Sequence, residues 1–290
     1  GRSFMSPPAL PTLAHASARP LSALAVELAR TCLDQLDGSN ALTNEEVVHE
    51  LRVATKRLRA AWHLAGALAA PGIARKRRQA LRTLSAHLAS SRDATVLDNL
   101  AQELAAKQTD GEIALAFDRL RDSLRDAESE PSSSEDREEQ LSLLRDFLEA
   151  EIDAWESIEN RDPAAWRRAI RHQLRKSRAR AKRDSRLALD RGDAELWHDW
   201  RKTVKRLRYQ REFVAAMQQR QPGPFDRHIS RLGSALGDRN DLANLTALTD
   251  TLKQSGRLTG RNYGLIRKAI ATDEQRIMHV CRRLGRRIFL

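Results

Sequence analysis

Two short basic runs in this chain have the residue types and spacing to hold anions. The first is His49–Glu50–Leu51–Arg52 followed by Lys56–Arg57–Leu58–Arg59, and the second is His198–Asp199–Trp200–Arg201 followed by Lys205–Arg206–Leu207–Arg208. They lie 149 residues apart, and six positions carry the same residue at the same interval. Guanidinium groups clamp phosphate or carboxylate oxygens in bidentate pairs, ammonium groups act as point charges, and an unperturbed imidazole gains charge below about pH 6.5. A cationic surface made twice at one spacing suits a repetitive anion.

Helical geometry turns each run into a stripe. At 100° per residue, His49, Arg52, Lys56, Arg59 and His63 fall within about 80° of one another, with Leu51, Ala54, Leu58 and Trp62 on the opposite side. His198, Arg201, Lys205 and Arg208 form the equivalent stripe, backed by Trp200 and Leu207. Lys202 widens its edge, while Arg57 and Arg206 lie about 80° from the histidines. Side chains along such a stripe recur about every 5 Å, a pitch that suits a string of phosphates. Like charges stacked at this spacing repel, and surfaces usually relieve them with interposed carboxylates. Glu212 stands at the end of the second stripe.

A further one-sided stripe, Arg167, Arg171, Arg175, Arg178 and Lys182, precedes the second ladder and is expected to wall a groove beside it. The matching first-half helix offers mainly Arg30. Asp93 and Asp241 are read as opening helices after turns, either as N-caps or as carboxylates that aim a ladder arginine. His15, His87, His172, His228 and His279 have no repeated context. No metal-ligand pattern and no cofactor motif is read.

These side chains need long helices to hold them. Residues 1–20, with Pro7, Pro8, Pro11 and Pro20, read as a disordered lead, and Gly1–Phe4 as an expression scar ahead of Met5. Apolar spacing then predicts a helix over Leu21–Leu36, broken at Gly38–Ser39–Asn40, and Thr43 with Glu46 forms a capping box for the ladder helix. That helix is expected to end near Pro71–Gly72, with others from about Ala74 to Leu88 and from Ser90–Asp93 to about Asp126. Residues 129–137 are a Ser/Glu-rich linker. An acidic helix follows, Asp162–Pro163 opens a long basic one, and Asp190–Asp193 turns the chain into the second ladder. Pro222–Gly223–Pro224 ends that ladder, and Gly237–Asp241 is expected to break the next helix. The reading is all-α, with a first helical repeat over 21–128 and a second over 138–290.

Composition limits the partners. Net charge is +12 and aromatics are 4%, in a sequence rich in helix formers. Residues 103–162 hold 19 acidic against 7 basic side chains, whereas 166–211 hold 17 basic against 5 acidic. The positive charge is therefore concentrated, which favours polyanions. Cys32 and Cys281 stand alone, against a thiolate zinc site or a disulfide framework. No apolar run reaches the ~18 residues of a membrane span and no signal segment is read, so a cytoplasmic protein is expected.

The paired motifs, together with Arg92–Asp93 and Leu236–Gly237…Asn240–Asp241, resemble the CHAD (conserved histidine α-helical domain) family over nearly everything from Leu21 onward. The resemblance implies two pseudo-symmetric four-helix bundles whose basic residues converge on a central cleft or pore. It implies a non-catalytic module that binds inorganic polyphosphate, often at bacterial polyphosphate granules. The ligand set then comprises His49, Arg52, Lys56, Arg57, Arg59 and His63; His198, Arg201, Lys202, Lys205, Arg206 and Arg208; and Arg171, Arg175, Arg178 and Lys182. Some relatives carry a triphosphate-tunnel hydrolase domain with an ExExK strand motif; none occurs here, so that activity is not expected.

Two other classes compete. A nucleic-acid binder would share the phosphate, and weak cross-affinity is expected, but the stripes lack interleaved aromatics for base stacking. A metal phosphohydrolase would rest on the isolated His198–Asp199 pair, and no nucleotide-cradling glycine loop accompanies it.

Overall fold

The computed structural model describes residues 20–36, 45–88, 92–125, 134–158 and 162–289. Among them are ten helices and no strand: α1 Leu21–Leu36, α2 Glu45–Ala65, α3 Ile73–His87, α4 Arg92–Ala106, α5 Gly111–Arg125, α6 Ser134–Glu156, α7 Pro163–Arg191, α8 Ala194–Met217, α9 Pro224–Gln254 and α10 Gly260–Phe289. The all-α expectation is met. The disordered lead, the scar, the Gly38–Asn40 break, the Thr43 cap and residues 129–133 of the linker lie outside the described residues, as does the Asp93 side chain.

Local chemistry sets the helix ends. Asp162 caps α7, accepting from the backbone N–H of Ala164 at 3.0 Å and of Ala165 at 3.1 Å, and Pro163 follows where no N–H is missed. Gly72, at φ 85°, precedes α3 in the left-handed region that glycine enters without penalty. The turn before α9 is tied by Asp226, which accepts from the Gly223 N–H at 3.0 Å, Arg211 Nε at 2.7 Å and Arg220 Nη1 at 2.8 Å.

One expected break is absent. α9 runs without interruption through Gly237–Asp241, so Asp241 sits inside a helix and opens none. A helical glycine costs about 1 kcal/mol. Here that cost is outweighed by a buried row, Leu232, Leu236, Arg239, Leu242 and Leu245, that keeps helical spacing across the glycine.

The helices group into two compact units that are not the two sequence repeats. The first contains α1, α2, α3, α6, residues 163–184 of α7, residues 202–217 of α8 and residues 224–227 of α9; the second contains α4, α5, residues 185–191 of α7, residues 194–201 of α8, residues 228–254 of α9, and α10. The repeat expected a division at 129–137. Helices α7 and α9 have 29 and 31 residues. At 1.5 Å per residue they run to about 45 Å, long enough to contribute to two cores.

In the first unit α1 packs on α6 and α2, and α2 packs on α3. Its centre is a Trp62–Trp155 stack with ring centroids 4.0 Å apart. Fully buried Glu151 lies beside it, accepting from both indole N–H groups and from Arg77 at 2.6 Å. In the second unit α5 packs on α4 and α10 around Leu104, Phe117, Leu120, Leu245 and Ile266. There Gly285 lets α10 approach Trp200 so closely that an added Cβ would stand 2.9 Å from the indole.

A guanidinium cluster as candidate functional site

The first ladder folds as its spacing predicts. Leu51, Ala54, Leu58, Ala61 and Trp62 are buried, while His49, Arg52, Lys56, Arg59 and His63 stay partly exposed on the other side of α2. On α8, Trp200, Val204 and Leu207 are buried, and Arg201, Lys205, Arg206 and Arg208 are partly exposed. His198 is exposed, with Nδ1 3.1 Å from Asn240 Oδ1. His198 and Arg201 belong to the second unit; Lys202, Lys205, Arg206 and Arg208 belong to the first, with α2. The Nε atoms of Arg52 and Arg201, equivalent in the repeat, are both buried.

Within the first unit the lower ends of both ladders meet other cations. Arg59 and His63 from α2, Arg78 and Arg82 from α3, Arg180 from α7 and Arg206 from α8 act on one another electrostatically. Burial, then the guanidiniums of Arg206, Arg78, Arg59 and Arg180, push the His63 imidazole down to about 3. Arg59 and Arg78 are lowered by burial and by Arg82. Arg206 is lowered by burial, then by Arg180, Arg59 and Arg78, with Asp184 opposing. Asp184 is itself engaged by Arg183 at 3.1 Å and lies 3.8 Å from Arg180. Arg59, His63, Arg78 and Arg206 are partly buried there while Arg82 and Arg180 stay exposed, and this crowding of positive charge from four helices is a cost that a polyanion would relieve.

A cavity of about 280 Å³ opens beside this cluster. His63, Gly66, Arg75, Arg78, His172 and Gln173 are among its lining residues. The Gly72 turn makes this possible by bringing α3 back along α2, so that Arg75 and Arg78 return beside His63.

Two predicted ligands have a different neighbour. Arg57 is buried, with 3% exposure, and its Nε and Nη2 each lie 3.3 Å from Glu212 Oε2. Arg208 donates from Nε to Glu212 Oε1 at 2.9 Å. Both guanidiniums lie over the Tyr209 ring, at 5.9 and 5.2 Å from its centroid. Burial pulls Arg208 down, but Glu212 raises it above the ordinary arginine range.

The α7 stripe lies apart from this cluster. Arg171, Arg175 and Arg178 are exposed, Lys182 is partly buried, and Arg178 sits over the Phe225 ring at 5.0 Å from its centroid. The residue of α7 that joins the cluster is Arg180, roughly opposite Arg178 on the helix. The sequence reading missed Arg78, Arg82, Arg180 and His172. The Arg75–Lys76–Arg77–Arg78 run, with Arg82 one turn beyond, carried a readable signal. Arg180 carried none, because the eleven basic residues of α7 cover every side of the helix but the buried one and nothing marks Arg180 among them.

The thiols offer no competing chemistry: burial, chiefly, pushes Cys32 and Cys281 up to about 12. Among the described residues no group of three or more His, Cys, Asp or Glu could hold a metal ion, and no helix is long and apolar enough to cross a membrane.

Fold and cluster together define an all-helical protein in which arginines from several helices act on one another. The chain belongs to the CHAD domain family, whose model matches residues 27–250. Its fold is similar to that of the CHAD domain from the plant Ricinus communis, seen in a crystal structure, with a TM-score of 0.64 at 19% identity over 97% of this chain and 96% of that one. No curated protein matches the sequence significantly.

Proposed function

We propose that the protein binds inorganic polyphosphate at the Arg59–His63–Arg78–Arg180–Arg206 cluster, without catalysing its turnover, and associates through it with polyphosphate granules in the cytoplasm. The observation that carries this reading is the concentration of guanidinium charge from α2, α3, α7 and α8, opposed at Arg206 by one carboxylate that other arginines already engage. Extended polyphosphate supplies one negative charge or more at each short repeat, and arginine forks take its oxygens in pairs. The remaining ladder residues of the first unit, His49, Arg52, Lys56, Lys202 and Lys205, would continue the phosphate track along α2 and α8. The paired four-helix bundles expected from the repeat stand as part of the same proposal.

The test is titration of polyphosphate into the full chain and into the Arg59→Ala/Arg206→Ala variant. A charge-assisted hydrogen bond contributes about 1.5–3 kcal/mol, so the double variant is expected to bind at least about a hundredfold more weakly, with helical content by circular dichroism unchanged. Equal affinity would remove the cluster from the mechanism. Duplex DNA as competitor should displace polyphosphate far less well than the reverse. Phosphate release during incubation with divalent metals would refute the non-catalytic reading.

A further inference from the structure

The repeat pairs three positions of the two ladder helices at 149 residues: Arg57 with Arg206, Arg59 with Arg208, and His63 with Glu212. The structure sorts these six residues across the helices. Arg59 and His63 of α2 act with Arg206 of α8. Arg208 and Glu212 of α8 act with Arg57 of α2. Each set therefore contains one residue from each of the three repeat positions. The sets are chemically equal except at one place, where the first has a histidine and the second a glutamate.

That difference gives the second set a carboxylate of its own. Glu212 gives one carboxylate oxygen to Arg208 Nε at 2.9 Å and the other to Arg57 Nε at 3.3 Å. A carboxylate bridging two guanidiniums with separate oxygens stands in for the two oxygens of a bound phosphate. The Arg57 and Arg208 side chains are 4% and 13% exposed and the Glu212 side chain 28%, so the guanidiniums are shielded while the carboxylate still meets solvent. Burial lowers Arg59, Arg206 and Arg208 alike; Glu212 outweighs it at Arg208, whereas Asp184 opposes it at Arg206 without overcoming it.

We propose that Glu212 is a built-in anion filling the second of two repeat-equivalent phosphate positions, so that only the Arg59–His63–Arg206 position accepts a phosphate from solution. This rests on the phosphate-binding reading of that open position. It makes a duplicated surface one-sided: an external phosphate at the second position must displace a tethered carboxylate whose effective concentration is high. The chain thereby gains one preferred point of phosphate entry.

Tripolyphosphate, too short to follow the whole track, is the probe, titrated calorimetrically into the full chain. Wild type is expected to take one molecule, and Glu212→Gln and Glu212→His two. In the Arg59→Ala/Arg206→Ala background, adding Glu212→Gln should restore one site. Unchanged stoichiometry in both Glu212 variants overturns the proposal. Wild type failing to bind while Glu212→Gln binds one would sink the open-site reading but leave the role of Glu212 standing. Removing the carboxylate is also expected to lower the melting temperature, and tripolyphosphate should recover more of it in Glu212→Gln than it adds to wild type. Equal thermal shifts, or variants that stay unfolded with tripolyphosphate present, contradict the idea.

Discussion

His63 is the most sensitive reporter of the cluster. Held at about 3 by burial and four arginines, its imidazole is neutral in the folded protein near neutral pH, whereas the unfolded chain protonates it near 6.5. Between these values the unfolded state binds the extra proton, so stability falls as pH falls through that window. In phosphate-free buffer the melting temperature should drop between pH 7.5 and 5, and His63→Gln should flatten that drop; an unchanged slope in the variant would deny His63 this role. Saturating polyphosphate, by favouring charged His63, should flatten it in wild type. At this scale the sequence was legible in part. Helical periodicity put Arg59 and His63 on one face, while Arg206 was named by the repeated motif although its spacing set it about 80° from the histidines. The sequence could not separate Arg57 and Arg208 from them, because the Glu212 bridge depends on how two helices distant in sequence come together.

The elements that aim these residues are pinned by one buried polar knot. Glu151 of α6 holds Trp62 of α2, Trp155 of its own helix and Arg77 of α3, and Arg77 Nη2 also donates to the Phe147 carbonyl at 3.1 Å. Fixing Arg77 sets the rotation of α3 and so directs Arg78, its neighbour, toward the cluster. Burial raises the Glu151 carboxyl against Arg77, which lowers it. Removing one partner of such a pair leaves the others stranded in the core. Glu151→Ala should therefore cost about 3–5 kcal/mol in urea unfolding. A loss below about 1 kcal/mol, the scale of an exposed ion pair, would show that the knot does not hold α2, α3 and α6 together. The apolar periods of α1, α2 and α8 were readable, as was the Asp162–Pro163 start of α7. Two things were not. The continuity of α9 through Gly237 is decided by its buried row, and the flank of α7 that meets the cluster by its neighbours, since basic residues cover every side of that helix except its buried one.

For the whole molecule, the charge partition matters more than the net value of +12. The family and the all-helical fold could be read from the duplicated motif; the interleaved compact units could not, because repeat boundaries record sequence similarity and packing boundaries record which side chains bury one another. A phosphate track built from arginines and lysines binds by releasing counterions, a relation established for nucleic acids and extended here to polyphosphate. The most direct test is the salt dependence of polyphosphate affinity in wild type and in Arg206→Ala. A log–log plot should fall steeply with salt in wild type, with a slope shallower by about one in the variant. A flat plot in wild type, or the same slope in both proteins, would contradict this reading.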